Sequence, residues 1–291
     1  MTDQAGFALP AQAEYNKTMT LDFINIIPLA LIAELVDSSL GMMYGTLLSP
    51  LLIIMGFEPI DVVPAILFSQ ALGGGVATIF HQYYKNADFK PATLNPRRIK
   101  NGLKRYGWIG AFRRGFNHDF KIAFTISVLG VLATIFAAVI AINVSKNFLR
   151  TYIAVLVVIM GLLLFKRKKF LFSWKKITAL SIVSAFNKGL SGGGFGPVVT
   201  AGQVIAGNEP KSSVAVTTLA EVAICLTGFA TYWWLGKFDA WPLLIVLTIG
   251  AVAGAPAGAF LTSKINEQKL RPLLAVVTTL LGLGMLFLKA S

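Results

Sequence analysis

Residues 185–201 read A-F-N-K-G-L-S-G-G-G-F-G-P-V-V-T-A. This stretch lies at the centre of an apolar run, 177–206, that is longer than the roughly 20 residues a helix needs to cross a bilayer core. A regular helix through Gly192, Gly193, Gly194, Gly196 and Pro197 is strongly disfavoured, at about 1 kcal/mol per glycine and about 3 kcal/mol for proline. The pattern therefore predicts a helix break at membrane depth, followed by a short helix starting near Pro197, since proline suits the first helical position. Irregular backbone at that depth is tolerated only where it is buried in protein or lines a cavity.

Working outward, the whole 291-residue chain is 55% hydrophobic and 13% charged, with a mean hydropathy of +0.70. Soluble domains carry about 25% charged residues. Eight apolar segments emerge: 23–55, 60–84, 120–142, 148–165, 177–206, 211–234, 241–262 and 271–288. They are too long and too uniformly apolar for barrel strands, which predicts an all-α integral membrane protein. A formal charge of +13 would suggest nucleic acid in a soluble protein. Here the basic residues concentrate in two connecting stretches, 85–119 and 166–176, as the positive-inside rule produces, so no nucleic-acid partner is expected. Two spans separate these stretches, which puts both on the cytoplasmic side and 143–150 outside. Residues 97–116 interleave basic with apolar side chains, from Arg97 and Ile99 to Arg114 and Phe116, and are expected to lie on the anionic lipid surface. Residues 1–22 are mostly polar and lack a signal-peptide pattern, which predicts that the first apolar run is retained.

The chain also aligns with itself. An offset of 151 residues places Gly41 on Gly192, Tyr44 on Phe195, Gly45 on Gly196, Gly56 on Gly207, Glu58 on Glu209, Pro59 on Pro210 and Asp88 on Asp239, without a gap. This predicts two homologous repeats of about four apolar segments each, 23–165 and 177–291, joined by the basic linker 166–176. In each repeat the first segment is broken by glycines. A continuous helix over 23–55 would be about 50 Å long, too long for one upright span and too short for two. If the broken segments span fully, the repeats are parallel. If they re-enter, each repeat has three spans and the halves are inverted, which places the N-terminus and the Glu58/Asp61 turn outside and the Lys264–Arg271 turn inside. Charge asymmetry favours the inverted arrangement. Glycine-interrupted segments at matching positions of two halves point to the binding site of a transporter.

Four ionisable residues remain within apolar segments: Glu34, Asp37, Lys188 and Glu221. Such residues are costly at this depth and mark function by default. The offset sets Asp37 against Lys188 and Gln70 against Glu221. On the functional reading, Lys188 attracts an anion while Glu221, Glu34 or Asp37 carries a proton. On the structural one, Asp37 and Lys188 form an ion pair that joins the halves. Helix N-termini near Pro197 and Thr46 would aim free N–H groups at the break, an anion-binding arrangement. The candidate substrate-binding residues are therefore Asn187, Lys188, Ser191, Gly192, Gly193 and Gly194, with Ser38 and Ser39 as further neutral donors. The lone Cys225 lies in an apolar helix, and His81 and His118 flank the basic loop far apart in sequence. No metal or cofactor site is expected.

The pattern G-L-S-G-G-G-F-G-P-V-V-T followed by G-N-E-P-K-S-S-V-A-V-T-T, over 189–218, resembles the TauE/SafE sulfite-exporter family of bacterial membrane proteins. The resemblance covers nearly the whole chain. It implies two homologous halves with glycine-rich breaks, and export of sulfite, thiosulfate or small organosulfonates through a bacterial inner membrane. The first half departs from the motif, with G-M-M-Y-G in place of the glycine run. No P-loop pattern G-x-x-x-x-G-K-[ST] occurs, so a secondary transporter, proton-coupled or facilitated, is expected rather than an ATP-driven pump or an enzyme. An anion channel lined by the glycine break and an uptake permease for the same ions are the alternative readings.

Overall fold

The computed structural model describes residues 9–41, 43–90, 114–165, 174–205, 208–236 and 238–264, with scattered positions between 100 and 110 and between 276 and 287. Much of the interior of the basic loop 85–119 with half of its interfacial stretch 97–116, residues 166–173 of the linker, and most of segment 271–288 lie outside the described residues. Every element among the described residues is an α-helix: α1 Leu9–Leu40, α2 Tyr44–Ile54, α3 Pro59–Tyr83, α4 His118–Asn143, α5 Lys146–Phe165, α6 Trp174–Ser191, α7 Gly196–Ile205, α8 Pro210–Trp234 and α9 Trp241–Leu261. Four of them, α3, α4, α8 and α9, are long and apolar enough to cross a membrane.

The two oversized apolar segments are both broken. Segment 23–55 divides into α1 and α2 at Gly41–Met43, and segment 177–206 divides into α6 and α7 at Gly192–Phe195. Helix α1 also runs through the expected boundary at residue 22, beginning at Leu9. Element bounds recur at the spacing read from the sequence. Helices α3 and α8 begin and end 151 residues apart, each with a glutamate N-cap, Glu58 or Glu209, and proline at its first position. The left-handed residues recur too: Gly41 (φ 69°) with Gly192 (φ 74°), Met43 (108°) with Gly194 (80°), and Lys85 (57°) with Gly236 (63°).

Packing crosses between the halves of the chain. Helix α9 lies on α1 and α3, α4 lies on α6 and α8, and α3 packs against α8. Small residues permit this closeness, as in membrane bundles generally. Gly250, Gly254 and Gly258 form one stripe of α9, and a Cβ at Gly250 would come within 2.6 Å of Ala30 Cβ, one at Gly258 within 2.6 Å of Ser38 Cβ. At one end of the bundle Lys146 pairs with Glu58 at 3.1 Å and Asp239 faces Asp61. At the other, the Ser212 hydroxyl donates to Asp119 Oδ1 at 2.7 Å, and Asp119 Oδ2 accepts the Asp88 N–H. The C-terminal end of α3 thus meets the N-terminal end of α8. Trp233, Trp234 and Trp241 are exposed near the first end and Tyr83 near the second, while Phe124, Val128, Leu132 and Phe136 line an outward face of α4. Bare apolar faces ending in aromatic residues suit a lipid environment with its two interfaces.

Candidate functional site

The two breaks meet. A Cβ at Gly45 would run into the Gly192 carbonyl, and one at Gly193 would lie 2.9 Å from Thr46 N, so backbone touches backbone where the halves cross. Only glycine permits this approach, and Gly192 also needs its left-handed φ. Hydroxyls stitch the crossing together. Ser49 Oγ donates to the Ser191 carbonyl at 2.8 Å, and Thr200 Oγ1 donates to the Gly41 carbonyl at 2.9 Å. Gly194 N–H donates to Thr46 Oγ1 at 3.1 Å, and Gly193 N–H to Ser191 Oγ at 3.2 Å. The Gly192 N–H donates to the Lys188 carbonyl at 2.8 Å, so all three glycine N–H groups expected to face a substrate are held by protein oxygens in this conformation. An anion reaching them displaces the Lys188 carbonyl, Ser191 or Thr46.

A chain of polar side chains runs beside the crossing. Asp37, near the end of α1, accepts the Tyr44 N–H at 2.9 Å on Oδ1, capping the start of α2 with a carboxylate. Its Oδ2 accepts Gln70 Nε2 from α3 at 3.1 Å. Gln70 Oε1 accepts the Lys188 ammonium from α6, and that ammonium pairs with Glu221 Oε1 of α8 at 2.8 Å. The amide orientation follows from its neighbours, since a carboxylate only accepts and an ammonium only donates. All four side chains are buried, Lys188 to 1% exposure. They are also the four residues that the 151-residue offset pairs, Asp37 with Lys188 and Gln70 with Glu221. Lys188 pairs with Glu221 of its own half, and its link to the first half runs through Gln70, which stands between Lys188 and Asp37 in place of the direct Asp37–Lys188 contact held as one sequence reading.

The remaining candidates divide. Ser191 and Gly192–Gly194 form the break itself. Glu34 lies one turn before Ser38, whose hydroxyl donates to Glu34 Oε1 at 2.6 Å; Glu34 Oε2 is buried without a hydrogen-bond partner. Ser39 donates to the Val36 carbonyl of its own helix at 3.0 Å. Asn187 turns toward α5, where its Oδ1 accepts the Tyr152 hydroxyl. Sequence reasoning placed a helix start near Thr46 but missed the hydroxyls of Thr46, Ser49 and Thr200, and gave Gln70 no role. The offset alignment already carried a signal for Gln70, which sits opposite an intramembrane glutamate.

A polar cavity of about 710 Å³ opens where α3 ends and α8 begins. Lys85, Asn86, Asp88, Lys90, Asp119 and Ser212 are among its lining residues. Asn86 Nδ2 donates to the Ala259 carbonyl at 2.8 Å and lies 3.0 Å from His81 Nδ1, which ties the cavity wall to α9 and α3. Among the described residues no group of three or more His, Cys, Asp or Glu side chains is placed to hold a metal ion.

The profile of the family described as "Sulfite exporter TauE/SafE" matches residues 106–285, more than half of the chain. The chain is also similar to the "Probable membrane transporter protein YtnM" of Bacillus subtilis (strain 168), at 24% identity over 250 residues that cover 82% of this chain and 74% of that protein. No solved structure gives a significant match.

Proposed function

This chain belongs to the TauE/SafE sulfite exporter family, and from that premise we propose that it is a secondary transporter that moves small sulfur-containing anions, sulfite, thiosulfate or organosulfonates, out across a bacterial cytoplasmic membrane. One observation carries the reading: a lysine ammonium is buried in a bundle of membrane-length helices, beside two crossing helix breaks. A cation at that depth is expensive unless an anion or carboxylate meets it. The substrate binds Lys188 with help from Ser191 and the N–H groups of Gly192–Gly194, and Glu221, Asp37 and Glu34 are the carboxylates available to carry protons. Ser38 lies one turn from Glu34 and tunes it through their hydrogen bond. The backbone contact of Gly45 with Gly192 closes the crossing, which favours a carrier that must move its broken helices over an open pore.

The halves are read as one duplicated unit in inverted orientation. The shared bounds of α3 and α8, the matching left-handed residues and the meeting of the end of α3 with the start of α8 support this. By the positive-inside rule we read stretches 85–119 and 166–176, and the polar cavity with them, as cytoplasmic, the side from which substrate enters for export. Counterflow in proteoliposomes tests the function. Vesicles loaded with unlabelled thiosulfate or methanesulfonate should accumulate the labelled anion saturably, and Lys188→Met should reduce this to the background of empty liposomes. Lys188→Met protein that is folded yet matches the wild type would remove Lys188 from the substrate path. Absence of counterflow with every sulfur anion tried would overturn the function itself.

A further inference from the structure

The Lys188 ammonium is held by charge on every side that can supply it. Glu221 of α8 pairs with it at 2.8 Å, and Gln70 of α3 links it to Asp37 of α1. Glu34 of α1 and Cys225 of α8 belong to the same electrostatic cluster. Tyr44 of α2 turns its hydroxyl to Ser69 and to the Leu247 carbonyl of α9, Thr134 of α4 donates to the Ala185 carbonyl, and Tyr152 of α5 is bound to Asn187. From α7 the break presents Phe195, which is buried. Among the described residues the cluster thus sets one ammonium against three carboxylates, and all are buried.

That imbalance constrains what can happen when an anion arrives. An anion that takes Lys188 leaves Glu221 without its cation, in a place where water does not replace it. An unpaired buried carboxylate is far more costly than a neutral acid. Asp37 offers no relief, because a carboxyl group supplies no positive charge in either protonation state and it already accepts two N–H groups. We propose that anion and proton exchange at this ion pair: each monoanion that binds the Lys188 ammonium displaces Glu221, which takes up one proton from the same side, and the two cross together without net charge.

The step balances. An O–H bond forms at a Glu221 carboxyl oxygen with a proton from solvent, the Lys188–Glu221 ion pair becomes a Lys188–anion pair, and both changes reverse on the far side. Gln70 serves either state, since its Oε1 accepts from Lys188 and its Nε2 donates to Asp37 whatever the second partner of Lys188 is. The inference rests on the transporter reading and adds its coupling. Co-movement with a proton makes membrane potential irrelevant to a monoanion. Where the cytoplasm is the more alkaline side, each pH unit holds export back until the anion is about tenfold more concentrated inside. The protein then discharges an anion only after it has accumulated.

The test uses wild-type protein and methanesulfonate, which is fully ionised near neutral pH, so any proton movement belongs to the protein. In weakly buffered detergent solution with a pH dye, binding should take up one proton per anion. In proteoliposomes, uptake should follow an imposed pH gradient and ignore a potassium diffusion potential. Glu221→Gln should abolish proton uptake and make residual flux respond to the potential. Binding without proton uptake, or wild-type flux that follows the potential, overturns the exchange while leaving the transporter reading in place. Wild-type protein that gives counterflow with no sulfur anion overturns the transporter reading, and the exchange with it. The wild-type measurements decide the matter even if Glu221→Gln fails to fold.

Discussion

Replacing Lys188 by methionine removes the cation and leaves Glu221 facing apolar surroundings. Breaking a buried pair from one side costs about 3–5 kcal/mol, because the surviving charge keeps its desolvation penalty. Lys188→Met should therefore lower the unfolding midpoint sharply, and adding Glu221→Gln should recover most of the loss. The strong non-additivity is the signature of a direct pair. Adding Asp37→Asn instead should recover much less, since Gln70 separates Asp37 from Lys188. Equal rescue by both second substitutions would show that the direct Asp37–Lys188 contact forms after all. Gly193→Val should abolish folding or transport, as its side chain would press on the Thr46 backbone from 2.9 Å. These contacts were only half legible in the sequence. The offset grouped Asp37, Lys188, Gln70 and Glu221, but which of the four touch depends on side-chain reach across a helix crossing, and no periodicity encodes that. Asn187 illustrates the limit: one residue from Lys188, it sits on another face of α6, turned toward Tyr152.

Helix α9 docks on α1 through Gly250, Gly254 and Gly258, each spaced one turn from the next. Gly254→Leu should force the pair apart, since even a Cβ there would lie 2.5 Å from the Leu31 carbonyl. Overpacking of this kind costs about 1–3 kcal/mol or more, and because Glu34 and Asp37 ride on α1, anion binding should weaken along with the melting temperature. The turn after α3 makes the opposite forecast. Lys85 holds φ 57° where its counterpart 151 residues on is Gly236 at 63°. A left-handed non-glycine residue costs about 1–2 kcal/mol, partly offset by the greater chain entropy of glycine. Lys85→Gly should therefore stabilise the protein by about 0.5–1 kcal/mol in thermal or denaturant unfolding. Element bounds were read well where chemistry punctuates the chain: both G-x-E-P turns start a helix at their proline. The first break was harder, because Met43 adopts φ 108° without glycine. The start of α1 at Leu9 was not readable, as residues 9–22 have no apolar periodicity to reveal a helix.

At the scale of the molecule, composition alone specified a helical membrane protein, and charge placement predicts which connections face the cytoplasm. The exchange of α4 onto α6 and α8, and of α9 onto α1 and α3, was not legible. It depends on which small-residue stripe finds which partner, and the 151-residue offset ends before α4. The exchange bears on orientation, because it ties each half to the other at the level of the breaks. With stretch 85–119 inside, both repeat arrangements place Glu58 outside, so the first half cannot discriminate between them. The second half can. In the parallel arrangement α6 and α7 together cross the membrane, and Glu209 emerges outside. In the inverted one the chain turns back at Gly192–Phe195, Glu209 returns to the cytoplasmic side and Asp239 lies outside. The hydrogen bond of Ser212 with Asp119 and the shared cavity with Lys85 and Asp88 place Glu209 beside the basic stretch 85–119. Single cysteines at Glu209, Asp239 and Ser145 in a Cys225→Ala background measure this directly with a membrane-impermeant maleimide. Ser145→Cys and Asp239→Cys should label in intact cells, and Glu209→Cys only after permeabilisation. Labelling of Glu209→Cys from outside, with Asp239→Cys protected, would instead require parallel halves. The Ser212–Asp119 contact would then have to be absent from the protein in the membrane, because the two residues would lie on opposite sides of it.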